Sequence, residues 1–246
     1  MKITVVLAAF AFSLSVFLSG CNQTYAVFSG LPDPGAVEIG DSLITPVSPL
    51  YFLKAIREKI ELALASKKED KINKELEFAQ RRLREVNNLI KSNHQDLIEP
   101  TLEHYQDYII ELDSLATNDN PAKSVIAQAL ARHLDILQRL YDSVGLPRAK
   151  MSIMSAIEKA EGYNRELLVK LDLSEQQKLI KEIALRQVLA CKFMAREASS
   201  SATIEPARQL LGQKVIACQK DAQTILKDQL DELRIKVSPA INNNSP

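Results

Sequence analysis

Apolar residues recur every three or four positions over most of this chain, the spacing that lines one face of a helix. The clearest run is Ile72, Leu76, Ala79, Leu83, Val86 and Ile90, which predicts a helix broken by Lys91-Ser92-Asn93. Ile98, Leu102, Tyr105, Ile109, Leu112 and Ala116 predict the next, with Pro100 marking its first turn or kinking it. Ile126, Leu130, His133, Leu137, Leu140 and Val144 follow, introduced by Asn120-Pro121 and stopped by Gly145. Pro147 opens a further helix carrying Ile153, Ile157, Ala160, Leu167 and Leu171. Ser174-Glu175-Gln176-Gln177 is a capping box for another, running to about Ala198. After Ser199-Ser200-Ser201, a last helix has Pro206 in its first turn and ends near Lys236. Ahead of them all, a first helix is expected from Ser48, with Pro49 at its first position. Its apolar stripe is Leu50, Leu53, Ile60 and Leu64, and packing onto the bundle is the expected use of Tyr51 and Phe52.

About seven antiparallel helices joined by short loops make an all-α bundle or a stack of helical hairpins. Only Gly145, Gly162 and Gly212 lie beyond residue 41, too few for strands linked by tight turns. The expected division is a leader over 1–20, a flexible tether over 21–47 and a main helical domain over 48–171. A C-terminal hairpin over 172–240 and a disordered tail over 241–246 complete it.

The leader changes the picture of where the bundle resides. Lys2 precedes an uncharged run from Ile3 to Leu18, and small residues then precede a cysteine, the order of a signal peptide. Leu18-Ser19-Gly20-Cys21 resembles the lipobox of bacterial lipoproteins. The resemblance implies cleavage before Cys21 and lipidation of Cys21, with at least two acyl chains, enough for stable anchoring. The apolar run falls short of the roughly 20 residues of a spanning helix, so the lipid rather than the helix is the expected anchor. Asn22 follows the cysteine where inner-membrane retention often uses aspartate. That implies the outer membrane of a two-membrane bacterium, or otherwise the outer face of the plasma membrane.

Residues 45–90 carry a further resemblance. Pro46-Val47-Ser48-Pro49-Leu50-Tyr51-Phe52-Leu53-Lys54 is similar to the S-P-L-Y-P-L-K opening of a bacterial extracytoplasmic helical domain family of unknown function. Leu76, Ala79, Arg81, Arg82, Leu83 and Glu85 resemble its next block. His133, Leu134 and Leu137 resemble the third, and Glu158 and Gly162 the closing one. The resemblance covers about 45–170 and departs at Phe52, where the family has proline, and at the looser turn Gly145-Leu146-Pro147. It implies a helical extracytoplasmic domain, some relatives being anti-sigma-like, and implies no activity, cofactor or catalytic residue.

Charge and chemistry narrow the function classes. Without Lys2, 30 Lys and Arg face 31 Asp and Glu, a net of about −1. That balance argues against nucleic acid as a partner and gives no polybasic membrane patch. The three histidines, His94, His104 and His133, have no metal-ligand spacing; His133, on an apolar stripe, reads as a core residue, and no metal or cofactor is expected. Glu99, Glu103, Asp107 and Glu111 read as a solvated face, as do Arg81, Arg82 and Arg84. Gly40-Asp41-Ser42-Leu43 spells a hydrolase nucleophile motif without the strand such a serine needs.

Cys191 and Cys218 lie on inward stripes almost equidistant from the Ser199–Ile204 turn. An exported protein can bond them, clamping the last two helices, or they can remain buried thiols. The expected function is a non-enzymatic, lipid-anchored extracytoplasmic module that contacts the membrane through its lipid and binds a protein or envelope partner. No small-molecule substrate is evident. A sensor or regulatory domain acting through a signalling partner is the alternative, and an enzyme ranks last.

Overall fold

The computed structural model describes residues 36–116, 120–170, 177–200, 203, 205, 208–209 and 211–218, all within one compact unit, Pro34–Pro246. The leader, Cys21, the capping box at Ser174, Pro206 and the tail lie outside the described residues. The described part is all-α. The helices are α1 (Tyr51–Leu64), α2 (Lys68–Lys91), α3 (Ile98–Leu115), α4 (Asn120–Ser143), α5 (Pro147–Lys170) and α6 (Gln177–Ser199). A 3-10 turn, Gln95–Leu97, leads into α3, and α7 covers residues 211–218. No described helix is long and apolar enough to cross a membrane.

Local chemistry sets several of these boundaries. Glu69 and Asp70 occupy the first turn of α2 and Lys91 its last, each facing the helix-dipole end that favours its charge. Asn93 then adopts φ 60, the left-handed conformation that asparagine tolerates better than most residues. His94 N–H donates to Leu89 C=O (2.8 Å) and Asn93 N–H to Ile90 C=O (3.2 Å), the two bonds of a Schellman stop. Pro100 sits in the first turn of α3, and Pro147 is the first residue of α5. Both are positions where the missing N–H breaks no helix hydrogen bond.

α2 packs on α3 and α4 on α5; α3 meets α5, and α6 lies on α4 and α5. The predicted stripes of α3 and α4 all point into this core. Tyr105, Phe78, Leu83, Leu89, Leu102 and Leu112 are among its largest fully buried side chains. His133 lies there too, its Nδ1 3.4 Å from the Tyr105 hydroxyl.

α1 overturns the expectation. It packs chiefly on α2, and the residues it buries are Lys54 and Glu58. Leu50, Leu53, Ile60 and Leu64, the stripe expected inside, point to solvent; Leu64 is 77% exposed and Ile60 53%. The reason is that α1 carries two stripes of helical period. Leu53, Ile56, Ile60 and Leu64 form one; Tyr51, Lys54, Glu58 and Glu61 form the other. Periodicity cannot say which one faces inward. The surface of α2 decides, because it presents charge there. The helix also starts at Tyr51 rather than Ser48, after a turn in which Tyr51 N–H donates to Ser48 C=O (3.0 Å).

Candidate functional site

The underside of α1 is an ion network. Arg82 on α2, expected in solvent, is buried and grips Glu58 through Nη2, 2.6 and 2.7 Å from the two carboxylate oxygens. Arg81 Nη1 adds a bond to Glu58 Oε1 at 3.3 Å, and the Tyr108 hydroxyl donates to Oε2 at 3.3 Å. Glu85, fully buried, pairs with Lys54 and with Arg82 Nη1 (3.0 Å) and accepts from the Tyr51 hydroxyl (2.9 Å). Burial, then the Glu85 charge, raises the Tyr51 phenol above its ordinary range; burial and Glu58 push Tyr108 up to about 12. Both phenols therefore stay neutral donors at physiological pH. The expectation that Arg81, Arg82 and Arg84 are solvated fails: Arg82 is buried because two buried carboxylates, one from each helix, need its fork, and Arg81 and Arg84 are only partly exposed.

A strap completes the site. Residues 36–45 belong to the stretch expected as flexible tether, yet they are pinned to α2 and α4. Val37 N–H donates to Asp135 Oδ2 (3.0 Å), and Arg139 donates to Val37 C=O. Asn87 and Asn88 side-chain amides donate to the carbonyls of Gly40 (3.1 Å) and Ser42 (2.6 Å). Gly40 has φ 73, and a Cβ there would lie 3.4 Å from Arg84 Nε, so glycine lets the strap bend against α2.

Between strap, α1 and α2 opens a groove of about 390 Å³. Lys54, Arg57, Arg81 and Arg84 line it, with Leu43 and Leu53 among its apolar members. Lys54 is occupied by Glu85, Ser42 Oγ (3.3 Å) and Ile44 C=O (3.1 Å). Arg84 Nε is buried without an acceptor. The Ser42 hydroxyl, candidate of the hydrolase-like motif, donates to Ile44 C=O at 3.0 Å and accepts from Lys54; neither neighbour is a base able to activate it.

Above the groove runs an apolar ridge. Leu43, Val47, Leu50, Phe52, Leu53, Ile56, Ile60 and Leu64 are all exposed. Exposed large apolar side chains gathered on one short helix and the segment before it mark a candidate interaction face.

The other candidate residues are dispersed. His94 and His104 are exposed, the latter 3.7 Å from Asp107, and Glu103, Asp107 and Glu111 form a solvated face. Burial pushes the His133 pKa down to about 4, so it is a neutral core side chain. The structure joins Cys191 on α6 to Cys218 on α7, Cα atoms 5.8 Å apart. The Glu161 carboxylate lies within 4.8 Å of both sulfurs. Those sulfurs are bonded to each other, and Gln187 (2.7 Å) and Arg165 (3.2 Å) hold Glu161, so the trio is not arranged as a ligand set. Cys21 lies outside the described residues.

The sequence signal that would have found this site is the second stripe of α1. Its polar members, three or four apart, stand opposite Arg82 and Glu85, which share a face of α2 three residues apart.

No curated protein and no solved structure matches the chain. A family model described as a domain of unknown function (DUF5667) matches residues 43–145, from the last residues of the strap through α1 to just past the end of α4; this takes in the ridge, the ion network and the groove apart from Asp41 and Ser42, and leaves out α5, α6 and the disulfide.

Proposed function

We propose that this chain is a non-enzymatic helical binding module of the bacterial envelope, anchored by lipid on Cys21, whose outward α1 ridge covers itself with a component of that envelope. One observation supports the reading above the rest. α1 turns its polar side to the bundle and its apolar side to solvent. Each buried ion pair carries a desolvation cost that well-packed apolar residues would avoid, so stability alone does not explain the arrangement. A ridge kept for contact does. The lipobox-like Leu18-Ser19-Gly20-Cys21 after an uncharged run supports the anchor and the extracytoplasmic address.

Membrane fractionation of the full chain, with photo-cross-linking from position 64 and intact-mass measurement, tests both halves. The wild type is expected to carry lipid on an N-terminal Cys21 and to cross-link to an envelope component. Ile56→Asp with Ile60→Asp is expected to abolish the cross-link and leave the lipid. A mature chain without lipid sinks the anchor, and cross-linking that survives both aspartates sinks the ridge.

A further inference from the structure

We propose that the outward side of α1 is a membrane-docking face: its ridge enters the acyl boundary of an anionic leaflet while the guanidinium groove beside it receives a lipid phosphate. This rests on the binding-face reading and names the occupant.

Charge argues for a leaflet. α1 has two carboxylates besides its cations, and both turn away from the ridge. Glu58 is buried on Arg82, and Glu61 is held by Lys74 (2.9 Å) and Arg57 (3.0 Å). The outward charges of the helix are Arg57 and Lys59. Apolar residues at helical spacing, bordered by cations and with the helix's own carboxylates paired, are the make-up of a helix lying in an anionic interface; the one acid at the groove, Asp41, is drawn off by Lys91 (2.7 Å). A second copy would set these cations against their own counterparts, as a two-fold contact brings like patches together.

The groove argues in the same direction. Arg57, Arg81 and Arg84 line an opening that also includes Leu43, Leu53 and one acid, Asp41; Arg57 is shared with Glu61 and Arg81 with Glu58 and Glu77. Arg84 has no acidic partner among the described residues, and its buried Nε lacks an acceptor. A phosphodiester on an acyl tail meets both halves of that lining: oxygens for the guanidiniums, hydrocarbon for the leucines. A free phosphate meets only the first.

Position is the third argument. Cys21 and Val37 are about 16 residues apart, at most about 55 Å of extended chain. A lipid on Cys21 therefore keeps the ridge within reach of the leaflet that holds it. Docking is then intramolecular, and a modest intrinsic affinity suffices.

The chain contains no tryptophan, so Ile60→Trp on the ridge and Ile110→Trp, an exposed position on α3, each introduce a lone reporter. The chain from Cys21 onward retains the whole compact unit Pro34–Pro246. Coupled through the Cys21 thiol to a maleimide lipid, it receives its anchor chemically, whatever its natural processing. In vesicles of phosphatidylglycerol and brominated phosphatidylcholine, I60W emission should shift blue and be quenched at least twofold more than I110W. The difference should shrink in pure brominated phosphatidylcholine. It should disappear when I60W is combined with Arg57→Glu and Lys59→Glu at unchanged melting temperature, and weaken with Arg84→Gln. Equal quenching of I60W and I110W in anionic vesicles overturns the proposal. So does quenching indifferent to lipid charge, or a vesicle-free blue shift that grows with protein concentration and marks a second copy. A ridge that cross-links to a protein in cells but stays unquenched here loses the leaflet and keeps the binding face.

Discussion

Glu75 is a carboxylate that packing has cut off from water. It is buried on α2, and its Oε2 has no hydrogen-bond partner among the described residues. Burial, then the Glu111 charge, raises its pKa from 4.5 to about 7. The folded state therefore binds a proton that the unfolded state has released between those values. Stability from this group falls as pH rises from about 4.5 to about 7 and is flat above. Glu75→Gln should raise stability at pH 8 by about 1–3 kcal/mol and leave it little changed at pH 4.5. Thermal melting of both proteins across that range checks it; parallel curves contradict the assignment. His133 acts in the opposite sense. Buried and neutral with a pKa near 4, it contributes stability that is lost as pH falls from 6.5 toward 4, equally in both proteins. The burial of His133 was legible from its place on the apolar stripe of α4; that of Glu75 was not. Glu75 sits among Lys74 and Glu77 and reads as surface, and only the approach of α3 removes its water.

At the scale of elements, α1 is held differently from its neighbours. α2 to α5 interlock through leucine, isoleucine and alanine, while α1 is attached by Lys54, Glu58, Arg82 and Glu85. Truncating one member of a buried ionic network leaves its partners uncompensated, at about 3–5 kcal/mol. Glu85→Ala should therefore lose that much stability and release α1 first. Hydrogen exchange over 51–64 should rise well before exchange over 98–115 in the same protein. Uniform loosening of both segments would mean that the network supports the whole bundle instead. The element boundaries themselves were largely readable, because Schellman stops, N-terminal prolines and first-turn acids are local devices. The orientation of α1 was not readable, since its two stripes have the same period.

For the whole molecule, the Cys191–Cys218 bond ties α7 back onto α6 across 27 residues. In the chain-entropy model a loop of that size stabilises by about 3–4 kcal/mol. Reducing the denatured protein and refolding it with its thiols blocked should lower the unfolding free energy by about that amount and the melting temperature with it. An unchanged melting temperature contradicts a bond that clamps the fold. The sequence by itself determined the all-α class, the core faces of α3 and α4, part of that of α2, and the stops between helices, because these follow from hydrophobic period and from caps acting over four residues or fewer; on α2 the predicted Leu76 and Ile90 are only half-buried, while Phe78 and Leu89 fill the core instead. It also supplied the two cysteines on inward stripes. Only the tertiary structure decided that the strap is pinned, that Arg82 is buried, and that α1 lies with its ridge outward over a basic groove. Each of those outcomes depends on which surface meets which. A pair such as Val37 and Asp135, or Tyr51 and Glu85, is brought together by packing across tens of residues of chain, and no local pattern encodes that meeting.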